Sequence, residues 1–395
     1  MKSPNFMFIA GEASGDALGA ELIQAIRARP EAAGAVFWGA GGPRMAAAGM
    51  HVAVDLTAHS VIGLWEVLKR YGTFKRLFDE LLTLALERRP DALVCVDFSG
   101  FNRRFAAALR WEIAVQPSRF DGWRPRIVQF VSPQVWASRP GRARKMARDF
   151  DLVLSIFPFE KAWYEKHAPS MPVSFVGHPM VDRFPPATGK PATIHNPPVV
   201  LLLPGSRTGE LKRHLPVLLG AAQIIARETA IRVQMVLPSE HLAAQARRHL
   251  PDNLPVDMRI GGLAAALTES DLAIASTGTV TMECAFFGVP TVTLYKTSWT
   301  TYQIARHIVT VPSLTMPNLL AGEPIFPEFI QDAATPAAIA AAALGLLRDP
   351  GQREALRKRL SAVIASLGDP GACTRAAEAI VRLLLRKPHT SAGPA

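Results

Sequence analysis

Residues 199–211 read VVLLLPGSRTGEL: five apolar residues in succession, a proline, a glycine, and an arginine where a polar, helix-forming stretch begins. An unbroken apolar run closed by turn residues marks a strand covered on both faces, as in a parallel sheet flanked by helices. Strict alternation would instead mark a strand with one wet face. Pro204 and Gly205 end the strand, and the spacing predicts a helix from near Glu210.

The same rhythm extends in both directions. Apolar runs at 6–10, 35–38, 92–96, 127–131, 152–156, 173–176, 233–237, 272–275 and 291–294 alternate with longer amphipathic stretches. This predicts the α/β class, with two doubly wound parallel-sheet, Rossmann-like domains facing a cleft. The proline-rich stretch 182–198 breaks the rhythm and predicts a linker between an N-terminal domain, 1–181, and a C-terminal domain, 199–365. Residues 366–387 predict a final helix, which either stays with the second domain or crosses back to the first or to a partner chain. Residues 388–395 predict a disordered tail.

The chain has 395 residues, long enough for two cores. Forty-four Lys and Arg against 33 Asp and Glu leave a formal charge of +11, which favours an anionic partner. Eleven basic and three acidic residues fall between 103 and 149, so most of the surplus lies in the N-terminal half. Cys95, Cys284 and Cys373 are far apart without metal-site spacing, and a reduced, cytoplasmic protein is the simplest expectation. No apolar run is long enough for a signal segment or a membrane span, so any membrane work is expected at the surface.

Ligands of doubly wound sheets lie beyond the carboxyl ends of strands. There Gly205, Ser206 and Arg207 offer backbone N–H groups and a bidentate guanidinium, which suits a diphosphate. GxxxxGK[ST] fails here, because Glu210 stands where the second glycine belongs. A second turn, Ser276, Thr277, Gly278 and Thr279, repeats the arrangement, and Glu283 one turn on is suited to ribose hydroxyls. A solvated arginine and a carboxylate complementing its helix remain the plain alternatives.

In the N-terminal half, GEASGD places Gly11, Ser14, Gly15 and Asp16 between the first strand and its helix, without the GxGxxG fingerprint. Asp97 ends a buried strand, where a carboxylate serves either as general base or as a cap. Gln134 sits in a further strand-end loop, followed by Arg139, Arg142, Arg144, Lys145 and Arg148. In VIGLWEVLKRYGTFKRLFDELL, the residues Leu64, Trp65, Leu68, Phe74 and Phe78 stand among Lys69, Arg70, Lys75 and Arg76. That pattern describes a helix dipping into an anionic bilayer, or one packed on its own core.

Taken together, GEASGD, VSPQVWA, FPFE, FVGHPMVD, LLPGSR, STGTVTMEC, PNLLAG and PEFIQ run in order from Gly11 to Gln331. In this set the chain resembles the lipid-A-disaccharide synthases, glycosyltransferases of the two-domain GT-B fold. The resemblance implies transfer of a sugar from UDP-2,3-diacylglucosamine to 2,3-diacylglucosamine 1-phosphate, with inversion, on the cytoplasmic face of the inner membrane of a Gram-negative cell. It implies no metal and no cofactor, an anionic membrane surface as partner, no nucleic acid, and leaves a homodimer open. Asp97 matches the residue expected to activate the acceptor 6-hydroxyl, Arg207 and its loop the diphosphate site, Glu283 the ribose contact, and Asn318 a residue near the donor. Gly100, Ser138 and Glu323 depart from the family pattern. Another UDP-sugar glycosyltransferase or a UDP-sugar epimerase of the same fold is the alternative enzyme. A nucleic-acid binder lacks any supporting motif.

Overall fold

The computed structural model describes residues 3–59, 71–184 and 194–386. It divides into two compact units, Met1–Arg183 with Leu367–Ala395, and Phe184–Ser366.

The first unit holds a seven-stranded, all-parallel sheet in the order β3-β2-β1-β4-β5-β6-β7. Its strands are β1 Asn5–Ala10, β2 Val36–Gly41, β3 His51–Asp55, β4 Ala92–Val96, β5 Arg126–Phe130, β6 Leu152–Ser155 and β7 Val173–Phe175. Every residue of β4, and five of the six in β1, is buried, as continuous apolar runs between helix layers require. Gly39 in β2 has φ +137, and a Cβ there would lie 2.1 Å from the Phe8 carbonyl oxygen. Only glycine lets the two strands approach so closely. The order reverses between β1 and β4, so the loops after these strands splay apart and leave a crevice.

The last helix, Ala372–Leu385, packs on the first, Ala13–Arg27. Asp182 fixes the return by accepting N–H bonds from Gly371 and, at 3.0 Å, from Ala372. Arg375 Nε donates to the Val176 carbonyl at 2.8 Å. Residues 367–386 therefore complete the first unit of the same chain.

The second unit repeats the plan with six parallel strands in the order β10-β9-β8-β11-β12-β13. These are β8 Val199–Leu203, β9 Arg232–Leu237, β10 Val256–Ile260, β11 Leu272–Ser276, β12 Thr291–Tyr295 and β13 Glu328–Ile330. Here the reversal falls between β8 and β11, both wholly buried. The helix after β8, Thr208–Glu228, starts two residues before the expected Glu210. Among the described residues no helix is long and apolar enough to cross a membrane, and all three cysteines are free and buried.

Candidate active site

In the second unit, the carboxyl ends of β8, β9, β10 and β11 surround a pocket of about 510 Å³. Gly205, Ser206 and Arg207 line it from β8, and Ser276, Gly278, Thr279 and Glu283 from β11. Gly205 has φ +112, and a Cβ there would come within 2.5 Å of Glu210 Oε2. That carboxylate accepts the Ser206 N–H at 3.0 Å and meets Arg207 Nη1 at 3.3 Å. Glu210 thus holds both donors at the pocket rim, while the Arg207 side chain stays 75 % exposed. No side chain caps the helix Thr208–Glu228 at its N-cap residue, Arg207, and Glu210 is the acidic residue of its first turn, offsetting the positive charge of the helix start.

The second turn differs from expectation in one respect. Its helix runs only over Val280–Phe286, too short to sum much of a dipole. What it presents are loop amides and the hydroxyls of Ser276, Thr277 and Thr279, opened by Gly278 at φ +144. Gly261 and Gly262, at φ +69 and +67, add a third wall that the sequence reading passes over. Behind the first loop, fully buried His214 shares its ring nitrogens between the Pro204 carbonyl, 2.9 Å from Nδ1, and the Lys296 N–H, 3.0 Å from Nε2. Burial lowers its pKa against the pull of these bonds. A neutral ring with a proton on Nδ1 satisfies both partners and braces the loop.

In the first unit, Asp97 follows β4 at the sheet's reversal point. Asp97 and Phe98 both take left-handed conformations, φ +49 and +40, which side chains rarely adopt without compensation. The turn is held by buried amides: Asn102 Nδ2 and Gln129 Nε2 donate to the Asp97 carbonyl at 2.8 and 2.9 Å. The Asp97 N–H donates to Phe130 O at 2.9 Å. Burial pushes the Asp97 carboxyl above its ordinary range, the Glu12 charge adds to this, and the Phe98 N–H pulls it back. Glu12 is a second residue that the sequence reading passes over. Gly11 is needed because the Phe98 ring lies where its Cβ would be, 2.4 Å away.

Other expected residues fall elsewhere. Asp16 is only 2 % exposed and its carboxylate accepts N–H bonds from Gly42, Arg44 and Met45 at 2.8 to 3.0 Å. It caps the helix Pro43–Ala47 rather than facing a ligand. Ser14 is exposed and Gly15 packs against Ala10 and Val96. Gln134 is exposed ahead of the short helix Val135–Ser138. Its neighbour Trp136 turns inward and donates to buried Glu160 at 3.0 Å, whose carboxyl burial pushes up to about 7. Asn318 is buried and absent from the pocket wall; its amide bonds Phe326 O, Glu328 Oε1 and the N–H groups of Ile325 and Phe326. It is a brace between the helix Met316–Ala321 and β13.

Of the expected membrane contacts, Leu64, Trp65, Leu68, Lys69 and Arg70 lie outside the described residues. In the helix Tyr71–Arg88, Lys75 and Arg76 are exposed and Phe74 is half-buried. Phe78 points inward, its ring 5.3 and 5.4 Å from Phe101 and Phe105. Aromatic packing of this kind ties Phe78, half-buried like Phe74, to the core cluster of the first unit. Of the departures from the family pattern, Gly100 has open space where a Cβ would stand, and Glu323 pairs with Arg359 at 3.5 Å.

Residues 6–382 match the family model described as lipid-A-disaccharide synthetase. A lipid-A-disaccharide synthase of Geobacter metallireducens is 36 % identical over 391 residues, 96 % of this chain and 97 % of that protein. Among solved structures, a putative UDP-N-acetylglucosamine 2-epimerase from Listeria monocytogenes superposes with a TM-score of 0.64 at 14 % identity, covering 98 % of each chain. The calicheamicin glycosyltransferase CalG4 gives 0.58 at 17 % identity, covering 98 % of this chain and 100 % of that one. At such identities the two structures speak to the fold alone, which is the GT-B arrangement of two parallel-sheet units.

Proposed function

The chain belongs to the lipid-A-disaccharide synthase family, and from that premise we propose how its two strand-end sites share the reaction. The activity is glycosyl transfer: the sugar of UDP-2,3-diacylglucosamine passes, with inversion, to the 6-hydroxyl of 2,3-diacylglucosamine 1-phosphate. The products are the β-1,6-linked lipid A disaccharide phosphate and UDP.

On this reading the second unit's pocket receives UDP. Arg207, the Gly278 and Thr279 N–H groups and the hydroxyls of Ser206, Ser276 and Thr279 meet the diphosphate, and Glu283 meets the ribose. The arrangement that supports this is a Gly205–Ser206–Arg207 turn and a Ser276–Thr279 turn facing one pocket at the sheet's reversal point. Asp97 acts as general base. It takes the proton of the acceptor 6-hydroxyl as that oxygen attacks the anomeric carbon, and the bond from that carbon to the diphosphate oxygen breaks. The electron pair leaves with UDP, where Arg207 and the N–H groups offset the growing charge. These donors supply the electrostatic role that a divalent ion fills elsewhere.

The test is turnover by the purified chain with both acylated substrates and a chelator, reading disaccharide and UDP by mass. Full turnover in the chelator is expected, together with a fall of at least about a hundredfold in Arg207→Ala. A requirement for divalent metal, or a fully active Arg207→Ala, overturns the assignment. The epimerase reading has support only as a fold relative, and donor incubated without acceptor separates the two. Lys75 and Arg76 are further proposed to face anionic lipid on the cytoplasmic leaflet, where both substrates bury their acyl chains.

A further inference from the structure

The basic region 103–149 contains two groups with different fates. Arg110 and Arg126 are spent internally. Arg110 meets Asp151 at 2.6 Å and the carbonyls of Asp149 and Pro125, and Arg126 stands 3.9 Å from Asp151 and donates to Arg386 O. Arg103, Arg104, Arg139 and Arg142 are different: among the described residues none of the four side chains has an ion pair or hydrogen bond. They converge nonetheless. Arg103 and Arg104 lie early in the helix Ser99–Val115, Arg142 lies early in the helix Gly141–Asp149 that packs against it, and Arg139 precedes that second helix. Burial and the charges of Arg104 and Arg139 hold the Arg103 guanidinium below its usual value against the opposing pull of Asp149 and Tyr164, and Arg142 is lowered by burial and by the other three. Arg103 and Arg142 are half-buried; Arg104 and Arg139 are exposed. Repulsion among four cations, two of them partly desolvated, opposes folding and is relieved by an anion placed among them.

We propose that Arg103, Arg104, Arg139 and Arg142 form a subsite for a phosphate monoester, the 1-phosphate of the acceptor sugar. The inference rests on the acceptor reading given above. Arginine is the side chain whose forked donors match phosphate oxygens in pairs, and here two packed segments, the helix Ser99–Val115 and the start of Gly141–Asp149, each bring two of them. The position is right as well. Arg103 stands four residues beyond Ser99, about 6 Å along the helix axis, and that helix begins directly after the Asp97–Phe98 turn. The acceptor carries its 6-hydroxyl and 1-phosphate across one sugar ring, so a base at Asp97 calls for an anion site about one sugar away. The other source of the same chemistry is the phosphate of bilayer head groups.

The test measures binding of 2,3-diacylglucosamine 1-phosphate and of its dephosphorylated form to the full chain in neutral detergent. Wild type is expected to prefer the phosphorylated ligand, and Arg139→Ala and Arg142→Ala each to weaken it about tenfold or more, leaving the dephosphorylated form and the UDP affinity unchanged. Arg104→Ala, at an exposed helical position, is expected to show the same selective loss with its melting temperature unchanged. Equal binding of the two ligands by wild type, or an equal loss for both in the variants, overturns the subsite. Variants that keep the preference but no longer bind phosphatidylglycerol vesicles also overturn it, and give the cluster to the bilayer. Selective binding without disaccharide formation would sustain the subsite and overturn the reaction instead.

Discussion

Asp97 and Glu12 form a pair whose pH behaviour is set by position. A base works deprotonated, so activity falls as pH drops through its pKa. Burial and the Glu12 charge both raise the Asp97 pKa, which moves that fall to higher pH than an ordinary aspartate gives. Glu12→Gln removes one of the two causes. The acid limb of kcat/KM in the variant is expected to move to lower pH, while Asp97→Asn loses turnover with the fold intact. An unmoved limb in Glu12→Gln would show that the two carboxylates do not sense each other. Other residues are legible only in part: Arg207 announces itself by following an apolar run, whereas Asp16 and Asn318 are polar side chains in motif-like stretches. Their carboxylate and amide are consumed by backbone groups, and a linear pattern does not reveal which polar groups are consumed.

Elements divide by burial. Phe78 on the helix Tyr71–Arg88 packs edge-on against Phe101 and Phe105, so Phe78→Ala is expected to lower unfolding free energy by about 3 kcal/mol. Denaturant titration reads this, and vesicle affinity should stay unchanged; the reverse result would return Phe78 to the membrane surface. Ten strands stand out in the sequence because their runs are continuously apolar. The three that do not, β3, β10 and β13, are sheet edges with mixed exposure, and an edge strand need not be hydrophobic on both faces. With β10 unread, the Gly261–Gly262 turn after it has no strand to end, and one wall of the pocket stays hidden. The final helix is similar: its composition shows that it is a helix, but only Asp182 and Arg375, distant in sequence, show where it docks.

At the scale of the whole molecule, two sheets reverse their strand order, and each proposed site sits at its own reversal. That coincidence follows from topology, because only there do neighbouring loops diverge. The two units also differ in how the chain supplies them: Phe184–Ser366 is one continuous segment, whereas the first unit needs residues from both ends. Ending the chain at Ser366 is therefore expected to leave the melting of the second unit unchanged and to lower that of the first by several degrees, read by hydrogen exchange in each unit. A uniform loss would show that the two do not unfold separately. On the ribosome the same feature reverses the order of completion. The lobe translated first must wait, with the apolar flank of its opening helix bare, until residues 367–386 emerge, so the middle of the polypeptide matures before its beginning.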